Sequence, residues 1–215
     1  MQNRVLIFDF DGTIAYTFQL IVAISNHLAD EFEFKKMTPA EAERMKHNTL
    51  NDTIRQLNVP LLKIPMIVAR AKDEVLKEIT SIKPIEGLKE ILMNLKTAGV
   101  TLGILSSNSF QNVSAFLRTH DLDVFDFVTT SSKIWSKNHN LDKLISREGF
   151  KMEDVVYVGD ETRDIVAARK LGIRVAAVTW GYNSSEALEA HHPDYLLSEP
   201  SELMDLITPL PRPFV

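Results

Sequence analysis

Val5-Leu6-Ile7-Phe8-Asp9-Phe10-Asp11-Gly12-Thr13 runs from four apolar residues straight into two carboxylates one residue apart, followed by Gly-Thr. The apolar run lacks polar alternation, so it reads as a parallel strand buried on both faces. Gly12 then permits the sharp turn that fans Asp9 and Asp11 around one point. In an open α/β sheet, ligands bind beyond the carboxyl ends of the strands. A charge pair placed there, expensive to bury, points to chemistry. Acids on such a turn can share a cation. The plainer alternative is that Asp11 or Thr13 merely caps the next helix, as both residue types commonly do.

Outward from this stretch the spacing turns helical, with Phe18, Ile21, Ile24 (or Ser25), Leu28 and Phe32 on one face. Thr38-Pro39-Ala40-Glu41 is a capping box with Pro at the first helical position, and Thr49-Leu50-Asn51-Asp52 is a weaker cap. Pro65 opens a longer helix that reaches Ile79 and stops before Lys83-Pro84. From Gly87 onward helix and strand alternate. A helix ends at Gly99, and helices follow over residues 110–119, near 140–147, and over 164–171 up to Gly172. Strands fall at 100–105, 125–129, 155–158 and 175–178, with an edge strand at 195–197. This pattern predicts an α/β fold: a doubly wound parallel sheet with right-handed crossovers, and a small all-α cap inserted after the first strand. The expected core domain spans residues 1–14 and 85–215, and the cap spans 15–84. Placed there, the cap covers the strand-end crevice as a lid.

The 215 residues suffice for one sizeable core plus this insertion, and the formal net charge of -5 leaves no basic field for nucleic acid or an anionic membrane. Absence of cysteine excludes disulfides, zinc-thiolate sites and a cysteine nucleophile. No membrane-spanning stretch is visible, and the first strand follows Met1 too closely for a signal peptide. The expectation is a cytoplasmic protein, monomer or homodimer, acting on a small molecule.

In these motifs the sequence resembles the haloacid dehalogenase superfamily over nearly its whole length. The motifs are Asp9-Phe10-Asp11-Gly12-Thr13, then Ser106 with Ser107-Asn108, then Lys137, then Gly159-Asp160 with Asp164 four residues on. The resemblance implies a phosphatase. Asp9 is then the nucleophile that forms an aspartyl-phosphate, and Asp11 protonates the leaving alcohol and later takes a proton from the attacking water. It also implies Mg²⁺ held by Asp9, the backbone carbonyl of Asp11 and Asp160, with Asp164 supporting; three crowded carboxylates repel unless a cation sits among them. Ser106, Ser107 and Asn108 bind phosphate oxygens where the next helix begins, and Lys137 neutralises both phosphate and Asp9. Family spacing to Asp160 favours Lys137 over Lys133. Three positions depart from the commoner pattern: Tyr16 replaces an acidic residue at the cap hinge, Ser136 precedes Lys137, and Asn138 replaces Pro. Taken singly, Ser106 to Ser109 could be a polar turn, Lys137 a solvated lysine, and Asp164 an acid that favours a helix start.

Substrate choice belongs in the cap, because the core meets only the phosphate that all substrates share. Lys46 and Asn48, with Arg55, are the expected readers of a small polar or anionic leaving group, as a phosphoglycolate phosphatase-like enzyme would need; a solvated helix-helix turn is the alternative. Trp180-Gly181-Tyr182-Asn183 either lines the entrance or anchors a loop, and none of the six histidines is assigned to catalysis. A phosphomutase of the β-phosphoglucomutase type carries the same four motifs. A non-catalytic phosphate sensor or partner-binding relative is disfavoured because nucleophile and acid are both intact. The partner implied is a small phosphorylated metabolite.

Overall fold

The computed structural model describes residues 4–131 and 136–207. The chain runs β1 (Val5–Phe8), α1 (Phe18–Phe32), α2 (Pro39–Met45), α3 (Leu50–Gln56), α4 (Ile64–Glu78), α5 (Leu88–Thr97), β2 (Thr101–Ser106) and α6 (Phe110–Thr119). It continues through β3 (Phe127–Thr130), α7 (Lys137–Glu148), β4 (Val155–Gly159), α8 (Thr162–Leu171), β5 (Arg174–Val178), α9 (Ser185–Glu189) and β6 (Tyr195–Leu197). The strands form one six-stranded sheet in the order β3-β2-β1-β4-β5-β6, parallel throughout. Because β1 lies between β2 and β4, the strand order reverses at its carboxyl end, where a crevice must open.

Successive strand residues face opposite sides of the sheet, and here both sides are covered. Leu6 and Phe8 pack with Ile104, Val156 and Val158 against Leu92 of α5 and Phe116 of α6. Val5 and Ile7 pack with Val155, Tyr157 and Val175 against Leu141 of α7 and Ile165 of α8. That double burial is why the first strand reads as an unbroken apolar run.

The helices α1 to α4 occupy the stretch between β1 and α5. Thr38 caps α2, accepting from the Glu41 N–H at 3.2 Å while Glu41 accepts from the Thr38 N–H at 2.9 Å. Thr49 caps α3 through the Asp52 N–H at 3.3 Å, and Pro65 sits in the first turn of α4. The chain leaves and re-enters the sheet layer through two paired segments. The Tyr16 N–H donates to the Lys83 carbonyl at 3.0 Å and the Ile85 N–H to the Ile14 carbonyl at 2.9 Å.

Several boundaries differ from the pattern-based expectation. β3 begins at Phe127 instead of residue 125: the Asp126 carboxylate takes the Leu102 N–H at 2.9 Å, and the Phe125 ring turns edge-on to Phe8 at 6.1 Å. α7 starts at Lys137, three residues before the apolar periodicity becomes visible. Helix α9 and the 3-10 stretch Pro200–Ile207 were not expected; the first is only five residues long, too short to display a periodic face. Lys133 lies outside the described residues. No helix among the described residues is long and apolar enough to cross a membrane.

In β2, Gly103 lies directly under the Phe127 ring, and an added Cβ would land on the ring carbons. Gly103→Ala is therefore expected to lower stability by about 1–3 kcal/mol through overpacking. Phe127→Leu should recover part of that loss in the double variant. Urea unfolding of the four proteins checks this, and strictly additive losses would contradict the clash.

Candidate active site

The ladder of β1 extends one residue beyond the strand, because the Asp9 N–H donates to the Val158 carbonyl at 2.8 Å. Alternation then sends Phe10 into the core, edge-on to Phe116 at 5.2 Å, while Asp9 and Asp11 point the other way. A tight turn follows, in which the N–H groups of Ile14 and Ala15 both donate to the Phe10 carbonyl. Gly12 takes a φ of 79°, and a Cβ there would strike the Asp160 carboxylate. Thr13 does not cap a helix. Its hydroxyl donates to Asp160 Oδ1 at 2.7 Å.

Asp9 is only 3% exposed. Its Oδ1 accepts from the Phe10 N–H at 2.8 Å, and its Oδ2 accepts from Lys137 Nζ at 2.5 Å. The same ammonium donates to Asp164 Oδ1 and lies 5.4 Å from the centroid of the Tyr157 ring. Lys137 thus leaves the first turn of α7 as a buried cation bridging two acids. Burial alone would lower its pKa, yet Asp164 and Asp9 outweigh burial and hold it well above the ordinary lysine value.

Asp160 directly follows β4 and has no exposed surface. Its Oδ2 accepts from the Tyr182 N–H at 2.7 Å, complementing Thr13 on Oδ1. Asp164 sits at the third position of α8, where its Oδ2 accepts from the Glu161 N–H at 3.0 Å. One oxygen from each of Asp9, Asp160 and Asp164 falls within 4.8 Å of the others. Ligands about 2.1 Å from a shared Mg²⁺ lie about 3–4 Å apart, so the cluster closes on such an ion with little movement. The donor set is all oxygen, which suits a hard divalent cation. Burial and the neighbouring charges of Glu161, Asp164 and Asp9 push the Asp160 carboxyl well up. Burial, opposed by Lys137, raises Asp164 to about 6.

At the end of β2, Ser106 is buried and its hydroxyl oxygen accepts from the Asn108 N–H at 2.9 Å. Ser107, half-buried, lines a small recess with Ser106, Lys137 and Arg163. Asn108 is committed elsewhere than expected. Its Nδ2 donates to both oxygens of Asp11 at 3.1 and 3.2 Å, and its Oδ1 accepts from the Ser109 N–H and from Asn112 Nδ2, each at 2.8 Å. Burial, followed by the charge of Asp9, raises the Asp11 carboxyl to about 7.

Among the residues expected in the cap, Lys46 pairs with Glu43 at 3.0 Å and places its ammonium 4.5 Å from the Phe18 ring centroid. The carbonyls of Lys46 and Asn48 both accept from Asn183 Nδ2, at 2.9 and 3.0 Å, so this loop is docked to the core through its backbone. The Asn48 side chain turns to Gln56. Arg55 is not brought to the site: it is exposed on α3 beside Asp52 at 3.6 Å. Two contributors, Asn112 and Lys72, escaped the sequence reading. Asn112 is fully buried and also donates to the Lys72 carbonyl of α4 at 3.0 Å. The half-buried Lys72 has its amine pKa lowered by burial, with the charge of Asp11 acting against that shift. The Tyr182 hydroxyl meets Thr17 Oγ1 at 3.0 Å. Trp180 is a loop anchor, its indole N–H donating to the Thr13 carbonyl at 3.2 Å.

The family model for haloacid dehalogenase-like hydrolases matches residues 6–178. A phosphoglycolate phosphatase of Synechococcus elongatus is 35% identical over 97% of this chain and 99% of its own length. The chain belongs to the haloacid dehalogenase-like hydrolases. With these relatives it is an enzyme of the phosphatase type. Pyrophosphatase PpaX of Bacillus cereus is 27% identical, covering 99% of this chain and 100% of that protein. A haloacid dehalogenase-like family hydrolase from Streptococcus pneumoniae superposes with a TM-score of 0.77 at 18% identity, covering 96% of this chain and 99% of that one, and so shares the fold.

Without a bound cation the folded protein holds protons on Asp160 and Asp164 more tightly than the unfolded chain does, so stability falls as pH rises through the folded pKa. For Asp164 that window runs from 3.8 to about 6. In chelator the unfolding midpoint is expected to decline across this range relative to Asp164→Asn, which removes the titrating group, with divalent cation restoring the wild type alone. Scanning calorimetry with Mg²⁺, Mn²⁺ and Ca²⁺ checks it; equal behaviour of the two proteins would remove the crowding argument.

Proposed function

We propose that this hydrolase is a Mg²⁺-dependent phosphatase of small organic phosphate monoesters that works through an aspartyl-phosphate on Asp9. The observation that carries the reading is the pairing of a fixed carboxylate with a tunable one. Asp9 is clamped by Lys137 and the Phe10 N–H, whereas Asp11, two residues on, is lifted to about 7 and aimed by Asn108. A nucleophile must be held in line, and an acid works best with a pKa near the working pH.

In this reading Asp9 attacks phosphorus, the ester P–O bond breaks, and Asp11 gives its proton to the departing alkoxide. Water then attacks the phosphorus of the acyl phosphate while Asp11 takes the proton back. Free phosphate leaves and Asp9 is restored. Lys137 offsets charge on Asp9 and on the phosphoryl oxygens, and the Ser106 hydroxyl with the N–H groups that follow holds those oxygens. Asp9, Asp160 and the Asp11 carbonyl would hold Mg²⁺, with Asp164 supporting; bound there, the ion neutralises charge between nucleophile and phosphate. The cluster of Asp9, Asp160 and Asp164 supports that choice through its all-oxygen chemistry. Asn108 is read as a positioning residue for Asp11. The helices between β1 and α5 serve as the cap.

A screen of phosphate esters in Mg²⁺, with Asp9→Asn as the blank, tests this. Wild type is expected to release phosphate and the blank to release none, and equal release would discard the nucleophile. Asp11→Asn should lower kcat about 10²–10⁴-fold on alkyl phosphates. The loss should be far smaller on p-nitrophenyl phosphate, whose phenolate leaves without a proton. Isomerised sugar phosphate without phosphate release would point to a mutase instead.

A further inference from the structure

The helices α1 to α4 do not fill the space they enclose. Between them is a cavity of about 300 Å³, walled by Ile21, Val22, Phe34, Ile54, Ile67 and Val68. Protein interiors normally leave few voids larger than a water molecule. A cavity with apolar walls excludes water and accepts apolar guests. This one is more than a loosely packed helical core, because its lining continues onto Glu161, Tyr182 and Asn183 at the carboxyl edge of the sheet. Tyr182 is the shared wall. Its N–H binds Asp160, its hydroxyl meets Thr17, and its ring stands edge-on to Phe18 at 5.4 Å. The cavity therefore reaches residues that adjoin the carboxylate cluster, Glu161 next to Asp160 in the chain and Tyr182 bonded to it, and not a distant face.

Among the described residues the one charged side chain on this lining is the acid Glu161. The cations nearby do not line it: Lys46, beside Phe18, is engaged with Glu43 and the Phe18 ring, and Arg55 pairs with Asp52 on the exposed side of α3. A carboxylate entering the cavity would lose water and gain no free cation from these residues. Building on the phosphatase reading above, we propose that the cavity is the leaving-group pocket and that the substrate is the phosphate monoester of a bulky apolar alcohol, branched or aromatic. At about 30 Å³ per water-sized group, the pocket takes on the order of ten heavy atoms. Phosphoglycolate, with its two-carbon anionic leaving group, would leave it empty.

The test compares kcat/KM in Mg²⁺ for methyl, butyl, hexyl and benzyl phosphate and for phosphoglycolate. We expect a rise of about fourfold per added methylene, equivalent to about 0.8 kcal/mol, until the pocket is full. Benzyl phosphate should exceed phosphoglycolate by at least about 100-fold. Val22→Phe on α1 and Val68→Phe on α4, which both project bulk into the cavity, should each reduce the hexyl and benzyl values by at least about 30-fold, with a far smaller effect on methyl phosphate. Should neither variant fold, Ile54→Ala enlarges the pocket and should move the preference to longer chains. Calorimetric binding of hexylphosphonate and methylphosphonate to Asp9→Asn gives a readout free of turnover, and hexylphosphonate should bind more tightly. Phosphoglycolate as the best ester with no dependence on chain length, or equal binding of the two phosphonates, would overturn the pocket while leaving the phosphatase reading intact. If no ester releases phosphate, the phosphatase reading falls, and the phosphonate comparison still decides the pocket.

Discussion

A carboxylate sealed from water has to find partners for both oxygens. Asp160 finds them on two other segments, the Thr13 hydroxyl from the turn after β1 and the Tyr182 N–H from the loop after β5. Three strand ends are thereby tied to one buried charge, and none can move away without stranding it. Gly12 and Gly181 lack a Cβ because their backbones lie against that carboxylate. The floor of the crevice is thus shaped by the solvation needs of a single acid. Its charge, added to those of Asp9 and Asp164, exceeds what one ammonium can neutralise. That surplus is what makes the floor receptive to a cation, and without one it repels the phosphate it is read to bind.

Parts of this arrangement were legible in the chain because local rules and the tertiary fold agree there. The run from Val5 to Phe8 is apolar on both faces because both faces are buried, and the acids after it can only lie at a strand end. Capping residues at Thr38 and Thr49 marked two helix starts in the same local manner. Lys137 was readable only through the order of the motifs. Asn108 was expected among the phosphate-binding residues because a polar residue before a helix looks like an anion site, whereas its side-chain amide donates to an acid 97 positions away. Asn112 and Lys72 had no local signal at all. Each lies on an ordinary amphipathic helix, and their contact spans 40 residues and joins two layers of the fold. Arg55 was expected to join Lys46 and Asn48 in reading the leaving group, yet its position on α3 leaves it exposed beside Asp52.

Two features that could be treated separately share helix α4. On one side the Lys72 carbonyl receives Asn112 Nδ2, which also donates to Asn108, whose amide in turn aims Asp11. On the other, Ile67, Val68 and Ala71 form a wall of the apolar cavity. Withdrawal of α4 would leave Asn112, which has no exposed surface, short of one acceptor, and a buried amide does not give up a bond cheaply. The position of the helix and the aim of the acid are therefore energetically linked. Under the proposed function, a leaving group that seats against Ile67 and Val68 bears on the same helix that orients the group proposed to protonate it. Recognition of the apolar portion of a substrate and readiness of the proton donor then become one event, which is how a cap can add to turnover without touching phosphorus.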